Sequence, residues 1–281
     1  MLAVTVNVGG ASPHARSEHR ALAMGRWAQR VIAQRRPELV FAQEVPSDAW
    51  LKIWAHSGYT VVQNAPRYQA RSALIIDKKL SAAALTAARL PTLNYHGSYV
   101  AAAHCTLPRL GRPVILLTVH ASPAPVTDAE LAAWPSRVER PKPRHGGKGV
   151  HNESQLWDAD MVLQTIMHAT ELGPVLACGD LNESRAWDAL HPGETWGEEF
   201  FERVEDRLVD CLHDRLPSGS VTHWAPDAPA MQIDHVLASR DVAPLLVNAA
   251  LPTLDEQWAD PRAALRNDLS DHAPIWFSIA D

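Results

Sequence analysis

Most of the chain consists of short segments in which apolar residues alternate with polar ones or form brief runs, separated by Gly, Pro or charged residues. This pattern, rich in Val, Ile and Leu, predicts β-strands. The predicted strands cover 2–7, 38–43, 60–62, 72–76, 99–107, 113–119, 174–178, 220–224, 232–238, 245–251 and 275–279. Apolar residues at helical spacing predict helices over 17–36, 46–56 and 153–172.

The connection between the predicted strands 99–107 and 113–119 is short and contains Gly111, which is typical of a hairpin between antiparallel strands. Strands, helices and hairpins intermix along the chain. This mixture favours an α/β fold with two packed sheets flanked by helices over a purely parallel sheet. Because no linker or shift in composition divides the sequence, residues 1–281 are predicted to form a single domain.

One long segment has neither strand nor helix periodicity. Residues 121–152 are rich in Pro, Ser, Gly and charged residues. The segment exceeds the ~12–15 residues usual for a connection without structure of its own. We therefore expect a functional or mobile loop here.

Composition excludes several classes of protein. Lys and Arg number 26 and Asp and Glu 32, which gives a net charge of −6 and argues against a protein covered in positive potential. The apolar runs are far shorter than the ~20 residues of a membrane-spanning helix. Residues 1–8 lack the basic start and the small-residue cleavage site of a secretory signal, so the cytoplasm is the expected location.

Polar residues of related chemistry follow several of the predicted strands. They are Asn7, Glu44, His120, Asp180 with Asn182, and Asp271 with His272. A single Asn or Glu at a strand end usually makes a turn or faces solvent. Several together indicate a shared site, because a polar group that ends an apolar strand is costly unless it is hydrogen-bonded, bound to a metal or hydrated. Carboxylate and amide oxygens suit a hard cation better than zinc.

Six short motifs occur in an order that resembles the endonuclease/exonuclease/phosphatase superfamily of magnesium-dependent phosphodiesterases, which includes pancreatic-type deoxyribonucleases and apurinic endonucleases. The motifs are VTVN at 4–7, FAQE at 41–44, LTVH at 117–120, CGDLN at 178–182, THW at 222–224 with QIDHVLAS at 232–239, and SDHAP at 270–274. The resemblance implies a four-layer α/β/β/α sandwich of two mainly antiparallel sheets flanked by helices. It also implies a site where the loops of the two sheets meet.

The resemblance further implies a role for each residue of the motifs. Glu44 would be the first ligand of Mg²⁺, for which Mn²⁺ is a possible substitute. Asn7 and Asp271 would bind the ion directly or through water. Asp180 would orient or deprotonate the attacking water. The remaining predicted catalytic residues are Asn182, His120, His272 and its partner Asp234.

Two points stay open at this stage. The general base is either Asp180 or the pair of His272 and Asp234. The carboxylate that accompanies His120 in deoxyribonuclease-like members is not evident, because Arg71 occupies the stretch where it is expected.

The long loop is basic within an acidic chain. Arg137, Arg140, Lys142, Arg144 and Lys148 outnumber the acidic Glu139 between positions 137 and 148. Such a segment is often only a solvated surface. Because it follows His120, we expect it to guide an anionic substrate, with Arg140, Lys142, Arg144 and Lys148 as phosphate contacts.

The predicted function is metal-dependent hydrolysis of a phosphodiester, with DNA or RNA as the leading substrate. One alternative is a phosphatase or phosphodiesterase that acts on a small or lipid phosphate. Another is a noncatalytic member of the superfamily that uses the cleft for binding. The complete set of hydrolytic residues argues against the latter, because a binding module does not need it.

Overall fold

Two six-stranded sheets form the centre of the molecule. The computed structural model describes residues 1–9, 18–45, 47–64, 71–145, 155–213, 215–216, 220–224, 229–251 and 270–280. The strands are β1 (Leu2–Asn7), β2 (Leu39–Val45), β3 (Tyr59–Gln63), β4 (Arg71–Asp77), β5 (Ala82–Ala84), β6 (Val100–Leu107), β7 (Arg112–His120), β8 (Val175–Asp180), β9 (Leu208–Asp210), β10 (Asp234–Ser239), β11 (Leu246–Ala250) and β12 (Ile275–Ile279).

Helices cover the outer faces of the sheets or lie in the connections between strands. They are α1 (Glu18–Gln34), α2 (Asp48–His56), α3 (Leu93–His96), α4 (Asp128–Ala132), α5 (Asp158–Leu172), α6 (Trp187–Leu190) and α7 (Trp196–Arg207), with single 3₁₀ turns at Pro108–Leu110 and Ala243–Leu245. None of the helices in the described ranges is long and apolar enough to cross a membrane.

The two sheets are built alike. Their strand orders are β11-β12-β1-β2-β4-β3 and β5-β6-β7-β8-β10-β9. In the first sheet β1 and β2 are parallel, and in the second β7 and β8 are parallel, whereas the other neighbours are antiparallel. The prediction of mainly antiparallel sheets is confirmed, and β6 and β7 form the expected hairpin.

Successive side chains of a strand point to opposite faces of its sheet, so the apolar residues of the strands form three hydrophobic clusters. One cluster lies between the sheets, and one lies between each sheet and its helices. Phe41, Leu116 and Phe277 belong to the cluster between the two sheets. Trp54 packs among residues of α1, α2 and the first sheet, and Phe200 packs among residues of α5, α7 and the second sheet. Since each sheet buries both faces, the four-layer arrangement follows, and the predicted sandwich fold is confirmed.

Helix α5 begins later than the sequence pattern predicts. The expected helix covers 153–172, but the described helix starts at Asp158. Gln155 and Trp157 instead form isolated bridges with Arg144 and Pro125. These backbone contacts hold the preceding residues in an extended conformation, so the helix cannot extend to position 155.

The predicted strand 220–224 is not a regular strand. Within it, His223 makes isolated bridges to Met231 and His272. The segment therefore joins two parts of the chain near the ends of β10 and β12 but does not extend either sheet.

The first part of the expected mobile loop is packed against the second sheet's helices. Thr127 and Glu130 form a capping box at the start of α4. Trp134 and Val138 are buried in a small cluster with Leu156 and Met161. Residues 121–145 thus have a fixed place in the fold, whereas residues 146–154, including Lys148, lie outside the described residues.

Candidate active site

The two parallel strand pairs direct four polar side chains to the same end of the molecule. Asn7 ends β1, Glu44 lies near the end of β2, and His120 and Asp180 end β7 and β8. Strands β1 and β2 pack against β7 and β8 between the sheets. The carboxyl ends of these four central strands therefore meet, and residues far apart in sequence share one site.

Asp180 lies at the centre of this group. In the second sheet it is in register with His120 on one side and with Asp234 on the other. Its side chain is buried, with only 1% of the residue exposed. Burial raises the pKa of Asp180 to about 6, although the charges of His272 and His120 oppose this rise.

Asn7 links the carboxylates of the two sheets. Its Nδ2 donates to Asp180 Oδ2 at 3.0 Å and to Glu44 Oε1 at 3.2 Å. Its Oδ1 accepts a hydrogen bond from the backbone N–H of Gly9 at 2.8 Å. One lone pair of the Asn7 oxygen is thus engaged with the backbone, and binding of the metal by Asn7, directly or through water, stays a prediction. In this arrangement Asn7 holds the two carboxylates at a fixed separation.

A β-bulge directs Glu44 into the site. The pairing of β2 with β4 shifts register between Ala42 and Val45, which places one extra residue in β2. Glu44 has a positive φ of 50°, in the left-handed region that few residues other than glycine adopt. Bulges commonly redirect a side chain beside an active site. Here the bulge directs the Glu44 carboxylate to Asn7 and His120.

His120 faces both carboxylates. Its Nε2 lies 3.4 Å from Glu44 Oε1 and 3.8 Å from Asp180 Oδ2. The ring of Tyr99 packs edge-on against the imidazole, with 5.4 Å between centroids. Among the described residues, Glu44 provides the carboxylate nearest to His120 Nε2, and His120 also interacts electrostatically with the buried Asp158.

His272 and Asp234 form a buried hydrogen-bonded pair. His272 Nδ1 donates to Asp234 Oδ2 at 2.9 Å, and His272 Nε2 lies 3.6 Å from Asp180 Oδ2. Burial alone would lower the pKa of His272, but the charges of Asp234 and Asp180 raise it to about 10. Burial likewise opposes ionisation of Asp234, but its contact with His272 keeps the pKa of Asp234 below its usual range. The imidazole is thus protonated at neutral pH.

The residues around Asp180 require special backbone geometry. Gly179 has a φ of 147°, and a Cβ at this position would lie 2.0 Å from the carbonyl oxygen of Val119 in the neighbouring strand. Only glycine allows β8 to approach β7 this closely. Asn182 has a positive φ of 51°. The backbone N–H of Asn182 donates to Asp180 Oδ1 at 2.9 Å, and its Nδ2 donates to Ala121 O at 2.7 Å.

The donor set fits a hard divalent cation. Ligand atoms of Glu44, His120 and Asp180 lie within 4.8 Å of one another, as do those of Asp180, Asp234 and His272. The pKa of Asp180 is raised chiefly because burial disfavours its charged form. Carboxylate oxygens such as those of Glu44 and Asp180 suit Mg²⁺ or a similar ion.

Asp271 is the third residue that the sequence predicts to bind the metal, directly or through water. It belongs to neither of the groups with ligand atoms within 4.8 Å that the described residues form. The hydroxyl of Ser270 donates to its Oδ1 at 3.4 Å, and its negative charge helps to raise the pKa of His272. Whether Asp271 binds a metal directly or through water stays open.

The predicted phosphate contacts divide into three kinds. Arg140 and Lys142 are exposed, as a substrate contact requires. Arg144 has no exposed surface and pairs with Glu183 and Asp160, so its assignment as a phosphate contact is wrong. Lys148 lies outside the described residues.

Two neighbours of His120 and His272 were not predicted as site residues from the sequence. The ring of Tyr99 contacts His120, and the ring of His223 lies 4.6 Å from that of His272. Burial and the charge of His272 lower the pKa of His223. His223 stands within the THW motif, which was the sequence signal available for it. Tyr99 is the first residue of a predicted strand and belongs to no motif.

The sequence was also compared with known families. Residues 4–272 match the profile of the Endonuclease/Exonuclease/phosphatase family. The chain belongs to this family. Its members are hydrolases of phosphate esters that use divalent metals, and the acidic and histidine groups at the strand ends provide a suitable metal site.

Solved structures show the same fold at low sequence identity. A 3′ phosphatase, NExo from Neisseria bound to a product DNA hairpin, superimposes with a TM-score of 0.64 at 17% identity, covering 100% of both chains. An AP endonuclease from Archaeoglobus fulgidus gives 0.60 at 15% identity, covering 99% of both chains. A truncated TDP2 from Caenorhabditis elegans gives 0.62 at 15% identity, covering 100% of this chain and 97% of the other. No match was found among curated protein sequences.

Proposed function

We propose that the protein hydrolyses phosphodiester bonds in nucleic acid with Mg²⁺ as cofactor. The observation that carries this proposal is the position of Asp180, which contacts Asn7, His120 and His272 within one buried cluster. Solved structures with this fold include an AP endonuclease and a 3′ phosphatase bound to a DNA product, which supports a nucleic-acid substrate.

Glu44 is the proposed principal ligand of the metal. Its side chain keeps 13% of its surface exposed, so a hydrated ion can reach it from the open side of the site. Asp271 would assist through water. A bound divalent cation supplies positive charge that offsets the anionic phosphate oxygens and the charge that develops on the leaving oxygen. Mn²⁺ has similar ligand preferences and is expected to substitute.

Asp180 is the proposed group that orients and deprotonates the attacking water. It is fixed by Asn7 and by the backbone of Asn182, so its carboxylate is held ready for a water molecule. The alternative base, His272, donates through Nδ1 to Asp234 and presents Nε2 toward Asp180. A protonated imidazole in that place suits charge stabilisation better than proton abstraction.

The remaining groups would bind the phosphate and the leaving oxygen. His272 is cationic and adjacent to Asp180, so it can stabilise the anionic oxygens of a phosphate in attack geometry. The hydrogen bond from Asn182 Nδ2 to Ala121 O fixes the orientation of the amide, and its Oδ1 is the proposed acceptor for the water. His120 lies on the opposite side of Asp180 and is the proposed donor to the leaving oxygen.

A second candidate is a phosphatase or a phosphodiesterase acting on a small or lipid phosphate. The net charge of −6 favours it, because a protein with this charge attracts nucleic acid only through local basic patches. One of the solved structures with this fold is a 3′ phosphatase, so removal of a terminal phosphate is also compatible with the fold. Both candidates use the same residues.

The test compares substrates and metals on the purified protein. The panel contains bis-p-nitrophenyl phosphate, p-nitrophenyl phosphate, single-stranded and duplex DNA, and RNA, each with Mg²⁺, Mn²⁺ or EDTA. We expect metal-dependent cleavage of the diester reporter and of at least one nucleic acid. We also expect the substitution His272→Ala to lower kcat by about 10³-fold, within the range for loss of a group that stabilises charge in the transition state.

The matched control is His168→Ala, which removes a histidine that pairs with Glu171 on α5, away from the site. It should leave kcat within twofold of wild type. Cleavage of the monoester alone would select the phosphatase candidate. Failure to cleave any ester with either metal would contradict the proposal as a whole.

A further inference from the structure

An arginine lies completely buried behind the loop that follows β8. Arg144 has no exposed surface, which is rare for a side chain that is always charged. Its backbone pairs with Gln155, so its position is fixed before the side chain is considered. The proposed hydrolysis does not use Arg144, and its burial needs another explanation.

The guanidinium of Arg144 uses all three of its nitrogens. Nη1 and Nη2 donate to the two carboxylate oxygens of Glu183, with 2.9 Å between Nη1 and Oε2. Nη1 also donates to the carbonyl of Trp196 at 3.0 Å, and Nε lies 3.0 Å from Asp160 Oδ1. The group stacks on the Trp196 ring, 4.3 Å from its centroid. Such paired bonds between a planar guanidinium and a carboxylate set direction as well as distance.

Glu183, the main partner of Arg144, is the residue directly after Asn182. Its carbonyl oxygen accepts a hydrogen bond from His235 Nε2 at 2.9 Å. The side chain and the main chain of Glu183 are therefore both held by hydrogen bonds. Because Asn182 adopts a left-handed backbone conformation, it depends on such neighbours to keep its side chain aimed at Ala121 O.

The ion pair is a costly way to stabilise a fold. Burial raises the pKa of Glu183 to about 7, even though the charge of Arg144 opposes this. Buried pairs of this kind often contribute no more stability than apolar residues of the same size. The advantage that remains for the Arg144–Glu183 pair is that it fixes the position of Glu183.

We propose that Arg144 is a positioning residue that, through its paired hydrogen bonds to Glu183, holds Asn182 in place for the reaction at Asp180. The inference rests on the proposed function for its kinetic consequences. Arg144 touches neither the reacting atoms nor their direct partners. It connects the 121–145 segment to the catalytic loop 180–184, so the packing of that segment determines the geometry of the site.

The test uses the full chain with four variants. Arg144→Met deprives both Glu183 and Asp160 of their partner. The double substitution Arg144→Met with Glu183→Gln removes the charge of the main pair, while Arg203 still lies 3.5 Å from Asp160 Oδ1. Arg144→Lys keeps the charge but not the paired geometry. Arg185→Met is the matched control, because Arg185 lies on the same loop but pairs with Glu205 and Asp210. Thermal melting identifies the variants that retain the fold.

For the diester reporter we expect kcat to fall by about 10²-fold in the folded double variant, the size expected for a displacement of about 1 Å. KM should change by less than threefold, and Arg144→Lys should recover part of kcat. A kcat of the double variant within threefold of wild type would overturn the inference. An equal loss in Arg185→Met would also overturn it, since the loop would then be sensitive to any change.

A second readout does not depend on activity. The side-chain amide signals of Asn182 in ¹H–¹⁵N spectra, assigned by their loss in Asn182→Ser, report its hydrogen bond to Ala121. We expect these signals to move and to exchange faster with solvent in the double variant. Unchanged signals would overturn the inference. If the wild-type protein cleaves no ester, the proposed function fails while this readout still decides the role of Arg144.

Discussion

At the scale of single residues, the protonation state of each buried group in the site depends on the charged partners beside it. His272 lies between Asp234 and Asp180, and the two carboxylates keep its imidazole protonated well above neutral pH. The nearer of these is Asp234, at 2.9 Å from Nδ1. Since burial by itself favours the neutral ring, the charge of His272 depends on this partner.

Substitution Asp234→Asn tests that dependence. The pKa of His272 should fall from its value of about 10, because the amide keeps the shape but removes the negative charge that favours the imidazolium. His272 would then lose its proton within the neutral range, and kcat on the diester reporter should fall by about 10²-fold or more at pH 8, as for other histidines that lose their carboxylate. NMR titration of the imidazole and the pH dependence of kcat measure both effects.

The control for this experiment is Asp241→Asn, which changes a half-exposed carboxylate that pairs with Arg112 on the surface. It should leave the titration of His272 and kcat as in wild type. An imidazole that still titrates near 10 in Asp234→Asn would show that Asp180 alone maintains the charge.

The sequence predicts which residues belong to the site better than how they are oriented. Polar groups at strand ends indicate a shared centre, and the structure brings Asn7, Glu44, His120, Asp180 and His272 together. The direction of the Asn7 amide and the burial of Arg144 could not be predicted. Both depend on partners far away in sequence, namely Glu44 and Asp180 for Asn7, and Glu183 for Arg144.

At the scale of elements, the close approach of β7 and β8 is the feature that brings His120 beside Asp180. The approach depends on Gly179, since a Cβ there would overlap the backbone of Val119. Most strands follow from the alternation of apolar residues, but helix α7 is not predicted from the pattern. Its apolar side, with Phe200, Phe201 and Val204, is narrow among many charged residues, and it becomes clear only when the helix is seen against the second sheet.

Substitution Gly179→Ala should therefore destabilise the protein strongly. The added Cβ would lie 2.0 Å from a backbone oxygen that has no freedom to move, and the positive φ adds strain. We expect the free energy of unfolding in urea to fall by more than ~3 kcal/mol, or the protein not to fold.

Gly111→Ala is the matched control, because Gly111 also has a positive φ, of 60°, but a Cβ there meets nothing within 4 Å. It should cost only about 1–2 kcal/mol, the strain of a left-handed residue. Equal losses in the two variants would show that strain, and not the contact with β7, determines the role of Gly179.

At the scale of the whole molecule, charge is unevenly distributed. The chain carries a net charge of −6, yet Arg137, Arg140 and Lys142 lie exposed on the 121–145 segment. The same segment provides Ala121 O to Asn182 and Arg144 to Glu183, so it joins the site to this basic surface. An anionic polymer bound at Asp180 would be attracted to that side of an otherwise acidic protein.

The double substitution Arg140→Gln with Lys142→Gln tests this attraction. At low salt, KM for oligonucleotides should rise several-fold more than KM for bis-p-nitrophenyl phosphate. Only the polymer is long enough to contact Arg140 and Lys142 while it is bound at Asp180. The dependence of log KM on log salt should flatten by about one to two units, one for each phosphate that the variant no longer neutralises.

Lys78→Gln with Lys79→Gln is the control with the same change in net charge. These lysines follow β4, which runs antiparallel to β2, so they lie at the opposite end of the first sheet from Glu44. If the two double variants behave alike, the effect comes from net charge and not from the 121–145 segment.

The pairing of β1 with β12 affects how the active site forms during folding. Asn7 and His272 adjoin neighbouring strands although nearly the whole described sequence separates them, and Glu44 and Asp180 come from different sheets. Contacts between such distant parts close long loops, so they cost entropy until the intervening chain has folded. The complete site, and with it the hydrolysis of phosphate esters, is therefore expected only in fully folded molecules.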